Sequence, residues 1–312
     1  MTVKHLASIT DLSPKTILSI LETAILLKKE IKNNKGNRPV LADKTLAMIF
    51  EKPSLRTRIS FEIGMTQLEG HAIYLGPTDI GLGVREPIRD VVKVISRMAD
   101  IIMARTFKHK SIVELVRYSS VPVINGLSDL EHPCQILADL LTIFEIKKKF
   151  KGLKLAFVGD GENNVTHSLA LASGLLGIKF SVATPKGYGM NPSISKKAKK
   201  YAKLNGGYIR ETYKVEEAVK DADVVYTDTW ISMGDEVEKE KRLKDFSGYQ
   251  VAQKVMKLAK KEAIFMHDMP AYRGNEVEAY VIDGPQSVVY QQAENRLHAQ
   301  KAAILHLLNI NY

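Results

Sequence analysis

The chain has 312 residues, 45% of them hydrophobic and 26% charged, with a formal net charge of +10. That length suits two domains with separate cores, and the composition is that of a soluble globular protein. No run of about 18 apolar residues occurs, the start Met1-Thr2-Val3-Lys4-His5 lacks an apolar signal region, and a single cysteine, Cys134, excludes an intrachain disulfide or multi-thiolate metal site.

A cytoplasmic enzyme or binding protein is therefore expected, with no membrane partner. The positive excess favours anionic ligands. Much of it lies in short runs such as Lys147-Lys148-Lys149 and Lys199-Lys200, towards the ends and polar faces of expected helices. No nucleic-acid recognition motif accompanies them, so phosphorylated small molecules fit better than nucleic acid.

In chain order, Ser13-Pro14 starts a helix whose apolar residues recur from Ile17 to Ile31 and end at Asn33-Asn34-Lys35-Gly36. Apolar runs of strand length follow: Thr45 to Phe50, Ala72 to Leu75, Ile101 to Ala104 and Val121 to Ile124. Helical patterns fall between and after them, near Ile59 to Leu68, Pro87 to Met98, Ile112 to Tyr118 and Ile136 to Phe150. Such alternation predicts a parallel sheet covered by helices. The polar patch from Lys147 to Gly152 then interrupts the pattern, and a second series begins. Its strands are Leu155 to Val158, Phe180 to Ala183, Tyr208-Ile209, Val224 to Tyr226 and Ile264 to Met266. The expected fold class is α/β: two parallel-sheet lobes with helices on both faces and an active-site cleft between them. The last helix, about Asn295 to Leu308, has no strand after it and is expected to return to the first lobe.

Polar clusters stand where these strands end, which is where open α/β sheets place ligands. Ser54-Leu55-Arg56-Thr57-Arg58 joins a strand to a helix and brings hydroxyls, arginines and free N–H groups to a helix start, a seat for an anion. Read alone, it serves equally as a serine cap on an ordinary amphipathic helix. Arg105-Thr106-Phe107 and His132-Pro133-Cys134-Gln135 follow, the latter after Asn125-Gly126-Leu127-Ser128-Asp129. Cys134 reads as a small buried residue. Gly159-Asp160-Gly161-Glu162-Asn163-Asn164 invites a dinucleotide reading, but the fingerprint needs glycine where Asn164 stands, and no P-loop pattern occurs. Asp228-Thr229-Trp230-Ile231-Ser232-Met233-Gly234 and His267-Asp268-Met269-Pro270-Ala271-Tyr272-Arg273-Gly274 complete the set. Cations and hydroxyls mark the first lobe, carboxylates and amides the second.

In order and spacing these clusters resemble the aspartate/ornithine carbamoyltransferase family nearly end to end, and Glu294-Asn295-Arg296-Leu297-His298-Ala299-Gln300 extends the match. The D-x-W-x-S-M-G form is most similar to the ornithine branch. The resemblance implies a carbamoyl-phosphate domain, 1–150 with the C-terminal helix 295–312, and an ornithine domain, 151–294. Ser54, Leu55, Arg56, Thr57, Arg105, His132, Gln135 and Arg296 would bind carbamoyl phosphate. Asn164, Asp228, Ser232 and Met233 would bind ornithine, with Arg105, His132 and Asp228 taking part in catalysis. Asp268 and Met269, after the late histidine, are expected to join the ornithine site, with the Asp268 carboxylate either binding or deprotonating the amine in catalysis or holding it charged and unreactive. No metal and no organic cofactor is called for, and a homotrimer in arginine metabolism is implied.

Two departures stand out. The ornithine branch usually has cysteine directly after the late histidine, where this chain has Asp268. The pattern ahead of Glu86 usually has glutamine where Gly81 stands and arginine where Val84 stands, with Arg85 next door. The expectations therefore include transfer to ornithine, transfer to another amine such as putrescine or a modified ornithine, and a catalytically silent paralogue.

Overall fold

The computed structural model describes residues 4–232 and 236–312. The chain divides into two units: Met1–Leu141 with Glu294–Tyr312, and Thr142–Ala293. In the first, β1 (Thr45–Phe50), β2 (His71–Leu75), β3 (Ile101–Arg105) and β4 (Val123–Leu127) form a sheet in the order β2-β1-β3-β4. In the second, β5 (Lys154–Val158), β6 (Lys179–Ala183), β7 (Tyr208–Thr212), β8 (Val224–Tyr226) and β9 (Ile264–Met266) run in the order β7-β6-β5-β8-β9. Every pairing is parallel.

Parallel neighbours need crossovers, and helices supply them. β3 and β4 are buried at every position, and β1 and β5 at all but their first, so both faces of these strands are covered. On one face of the first sheet, Ala47, Ile49, Ile102, Ala104 and Val123 share a core with Val91, Val92, Ile112 and Leu115 from the helices Ile88–Ile95 and His109–Tyr118. The second sheet packs Ala156, Val158, Ala183, Val225 and Phe265 against Val219, Val255 and Val281 from short helices. Each fully buried aliphatic side chain contributes about 1.5–3 kcal/mol. The edge strand β2 stays partly exposed.

All nine strand runs expected from the sequence form strands. Boundaries move where tertiary contacts decide. The helix expected from Ile59 begins at Leu55, because the Ser54 hydroxyl accepts the Thr57 N–H at 3.4 Å and caps it. Asn125-Gly126-Leu127, read as connecting chain, belongs to β4. There Asn125 donates its N–H to the Leu6 carbonyl at 2.8 Å and its side-chain amide to the Ala7 carbonyl at 2.9 Å. The last helix, Val289–Leu307, starts before Asn295, and from Glu294 onward it belongs to the first unit. Lys301 anchors it there: the buried ammonium donates to Asn37 at 2.5 Å and Gln67 at 2.6 Å, and burial pulls its pKa down to about 8.

Strand order reverses between β1 and β3 in the first sheet and between β5 and β8 in the second. Such reversals open a crevice beyond the carboxyl ends of the strands. The polar clusters of the sequence stand at both.

Candidate active site

At the first reversal, Ser54 also donates its hydroxyl to Thr57 Oγ1 at 3.0 Å. Leu55, Arg56 and Thr57 thus form the opening turn of the helix Leu55–Gln67, whose free N–H groups favour an anion. The Leu55 side chain is 69% exposed, so its contribution to such a site is its backbone N–H. β3 ends at Arg105, where the pairing with β4 shifts register. The His132 carbonyl accepts the N–H groups of Gln135 and Ile136 at the start of the helix Pro133–Lys147. Arg296, from the last helix, donates to Gln135 Oε1 at 3.0 Å and to Thr57 Oγ1 at 2.9 Å. Gln135 in turn donates to Asp139 at 2.9 Å.

The electrostatics of this cluster are distinctive. Burial, and then the charges of Arg296, Arg105, Lys52 and Arg56, hold the His132 pKa well below 6.5. His132 is therefore a neutral imidazole and an N–H donor at physiological pH. Arg105, Lys52 and Arg296 are only 8%, 7% and 3% exposed. Gathering that much positive charge away from water is costly, and a bound dianion offsets it. Cys134 takes no part: its buried thiol points at the Asn125 carbonyl at 3.4 Å and its pKa is pushed up to about 12.

At the second reversal, the chain after β5 turns through Gly161, where a Cβ would stand 2.5 Å from the Tyr188 carbonyl oxygen. Thr227 donates its hydroxyl to the Val158 carbonyl at 2.6 Å and ties the end of β8 to that of β5. Asp228 accepts from the Thr229 N–H and from the Asn163 amide, each at 2.6 Å. Beyond β9, the wholly buried His267 donates its N–H to Gln292 at 3.0 Å. Its Nδ1 accepts the Met269 N–H at 2.9 Å, which leaves the ring proton on Nε2, 3.2 Å from Glu276 Oε1.

Ligand atoms of Asp228, His267 and Asp268 lie within 4.8 Å of one another, a spacing that metal ions also use. Both ring nitrogens of His267 are already engaged, so only the two carboxyl groups remain to meet a cation. Burial, followed by the charge of Asp268, raises the Asp228 pKa well above 3.8. Two carboxyl groups this close favour holding one proton between them, and an ammonium ion can compete for that place. Asn164, Ser232 and Met269 are half-buried nearby in sequence, and Met233 lies outside the described residues.

Residues 4–145 match the carbamoyl-P binding domain, and residues 151–307 the Asp/Orn binding domain, of the aspartate/ornithine carbamoyltransferases. The chain belongs to this family. A relative from Caldicellulosiruptor saccharolyticus named ornithine carbamoyltransferase is 52% identical over 303 residues, covering 97% of this chain and 98% of its own. One of the same name from Archaeoglobus fulgidus is 51% identical over 307 residues, 98% of each chain. The solved ornithine carbamoyltransferase from Pyrococcus furiosus superposes with a TM-score of 0.93 at 49% identity over 98% of each chain.

Within this carbamoyltransferase, Arg56, Thr57, Arg105, His132, Gln135 and Arg296 gather in the first unit, and Asp228 stands beside Asp268 in the second. Sequence reasoning passed over four residues. Lys52 carries no local signal, yet it is buried with its ammonium 5.2 Å from the centre of the Phe107 ring. Asn163, rather than Asn164, holds Asp228. Glu276 reaches His267 across nine residues with no local signal, and Arg242 sits in an unremarkable run of charges.

Proposed function

We propose that this carbamoyltransferase moves the carbamoyl group of carbamoyl phosphate to the side-chain amine of L-ornithine, giving L-citrulline and phosphate. The observation that carries the reading is the buried ring of cations around a neutral His132, at a helix start and a strand-order reversal. The first domain, 1–150 with the C-terminal helix 295–312, takes carbamoyl phosphate. The second, 151–294, takes the amino acid, with Asp228 on the α-amino end, assisted by Asn163, Asn164, Ser232, Met233 and Met269. We propose further that the enzyme is a cytoplasmic homotrimer of arginine metabolism. Leu55, Ile59 and Ile63, exposed along one helix stripe, support an assembly.

The reaction needs an uncharged nitrogen, because a free alkylammonium has a pKa of about 10.4. Its lone pair attacks the carbonyl carbon and a C–N bond forms. The oxyanion meets the fixed donors Arg105, His132 and Thr57. The intermediate then breaks the bond to the phosphate oxygen, and the amine's proton leaves with the phosphate. Arg56, Gln135, Arg296, Ser54 and the backbone at Leu55 hold the departing dianion. Asp268 completes a carboxyl pair with Asp228 that can accept the proton an arriving ammonium gives up.

That last assignment has a sign. The charge of Asp268 helps hold the Asp228 pKa up, so Asp268→Cys or Asp268→Asn lets Asp228 ionise at lower pH. In citrulline-formation assays the acid limb of kcat/KM for ornithine should then move to lower pH than in the wild type. A limb that stays in place assigns Asp268 a structural role. Wild-type enzyme that forms no citrulline at any pH rejects the function itself.

A further inference from the structure

The helix Lys239–Asp245 carries one buried residue, Arg242, with 4% exposure. Its guanidinium joins both turns of the second sheet's reversal. One Nη pairs with Asp160 Oδ2, while Nε donates to the Trp230 carbonyl at 2.6 Å. The rings of Tyr188 and Phe246, 4.7 Å apart, lie on the same side of the guanidinium, 5.1 and 5.5 Å from its carbon, and Phe246 stacks on Trp230 at 5.8 Å. Asp160 is itself fixed, since its other oxygen accepts the Glu162 N–H at 2.9 Å. Asn163 and Asn164 follow on one turn, and Asp228 and Ser232 flank Trp230 on the other.

A guanidinium offers several N–H donors in one plane and stacks on aromatic faces. An ammonium is a point charge and does neither. The position therefore calls for more than neutralisation of Asp160. It calls for a rigid bridge of fixed length between the turn bearing the amides and the turn bearing Asp228.

We propose that Arg242 is the residue that sets acceptor specificity: by fixing the spacing of these two turns it selects an α-amino acid over a plain diamine. The proposal rests on the ornithine reading and deepens it. Arg242 acts through the turns and is a positioning residue. A diamine such as putrescine keeps an amine where ornithine has its α-amino group but lacks the α-carboxylate, so it engages the Asp228 turn alone and its use depends less on the spacing of the two turns.

Arg242→Lys keeps a charge beside Asp160 and removes the planar bridge. The expected result is a KM for ornithine raised by about tenfold or more, since small displacements of positioning groups have effects of this size or larger. The KM for carbamoyl phosphate should not change, and the ornithine-to-putrescine ratio of kcat/KM should fall. Trp230 is the only tryptophan in the chain, so its emission should shift to the red in the same variant, a readout independent of turnover. If Arg242→Lys does not fold, Arg242→Met with Asp160→Asn leaves no buried charge and is read in the same way. An unchanged KM for ornithine with an unchanged acceptor ratio overturns the proposal. So does an equal loss for both acceptors with a lowered Tm, the mark of a merely structural residue. A wild type that does not use ornithine at all fails the function reading instead, and an emission that does not move then removes the bridge as well.

Discussion

Arg105→Ala should lower kcat by about 10²–10³, the usual loss when one preorganised donor to a developing oxyanion is removed. Arg105 ends β3, is 8% exposed, and belongs to the ring of charges that keeps His132 neutral. Its removal therefore acts twice: the oxyanion loses a charged donor, and the phosphate loses part of the positive field that offsets its own burial. Steady-state kinetics with both substrates checks the first effect, and calorimetric titration with carbamoyl phosphate checks the second. Binding and kcat both within twofold of the wild type would place the reacting carbonyl elsewhere. Because burial is the leading cause of the lowered His132 pKa and three neighbouring cations remain, the imidazole should stay neutral in this variant.

Asp228→Asn should raise the KM for ornithine by on the order of 10²-fold, as expected when a charge-assisted hydrogen bond to the ligand is lost. The substitution keeps the side chain's shape, but its single amide oxygen can accept from only one of Thr229 and Asn163. The end of β8 should therefore lose one hydrogen bond, about 1–3 kcal/mol, which a Tm measurement reads separately from the KM. Carbamoyl phosphate binding belongs to the other unit and should be unaltered in the same calorimetric titration. A parallel weakening of both substrates would point to a damaged fold, and an unchanged KM for ornithine would remove Asp228 from the amine site.

Much of this was legible in the residues, for identifiable reasons. The strands are apolar runs flanked by turn residues, and the parallel sheets follow from strands alternating with helices. The clusters at Ser54–Thr57, Arg105, Asp160–Asn164 and Asp228–Ser232 flank the two strand-order reversals, so topology and motif agree. What stayed hidden depends on distance along the chain. Arg296 bonds to Thr57 across 239 residues and Arg242 pairs with Asp160 across 82, and no periodicity announces such partners. Lys52 carries no local signal until the two ends of β1 and β3 enclose it, and Asn163 and Asn164 are interchangeable until the helix Asn164–Leu176 fixes which one caps it. The exchange of the family's cysteine for Asp268 was visible in sequence. Its consequence, a carboxyl pair beside a histidine engaged on both nitrogens, required coordinates.

The central claim is that a dianionic carbamoyl donor bound in the first unit is attacked by the side-chain amine of an α-amino acid bound in the second. Phosphate release from carbamoyl phosphate, measured with ornithine, lysine, aspartate and putrescine in parallel, tests it most directly. The account predicts fastest release with ornithine, matched one to one by citrulline. Release that is as fast with putrescine, or that no amine accelerates, would contradict it.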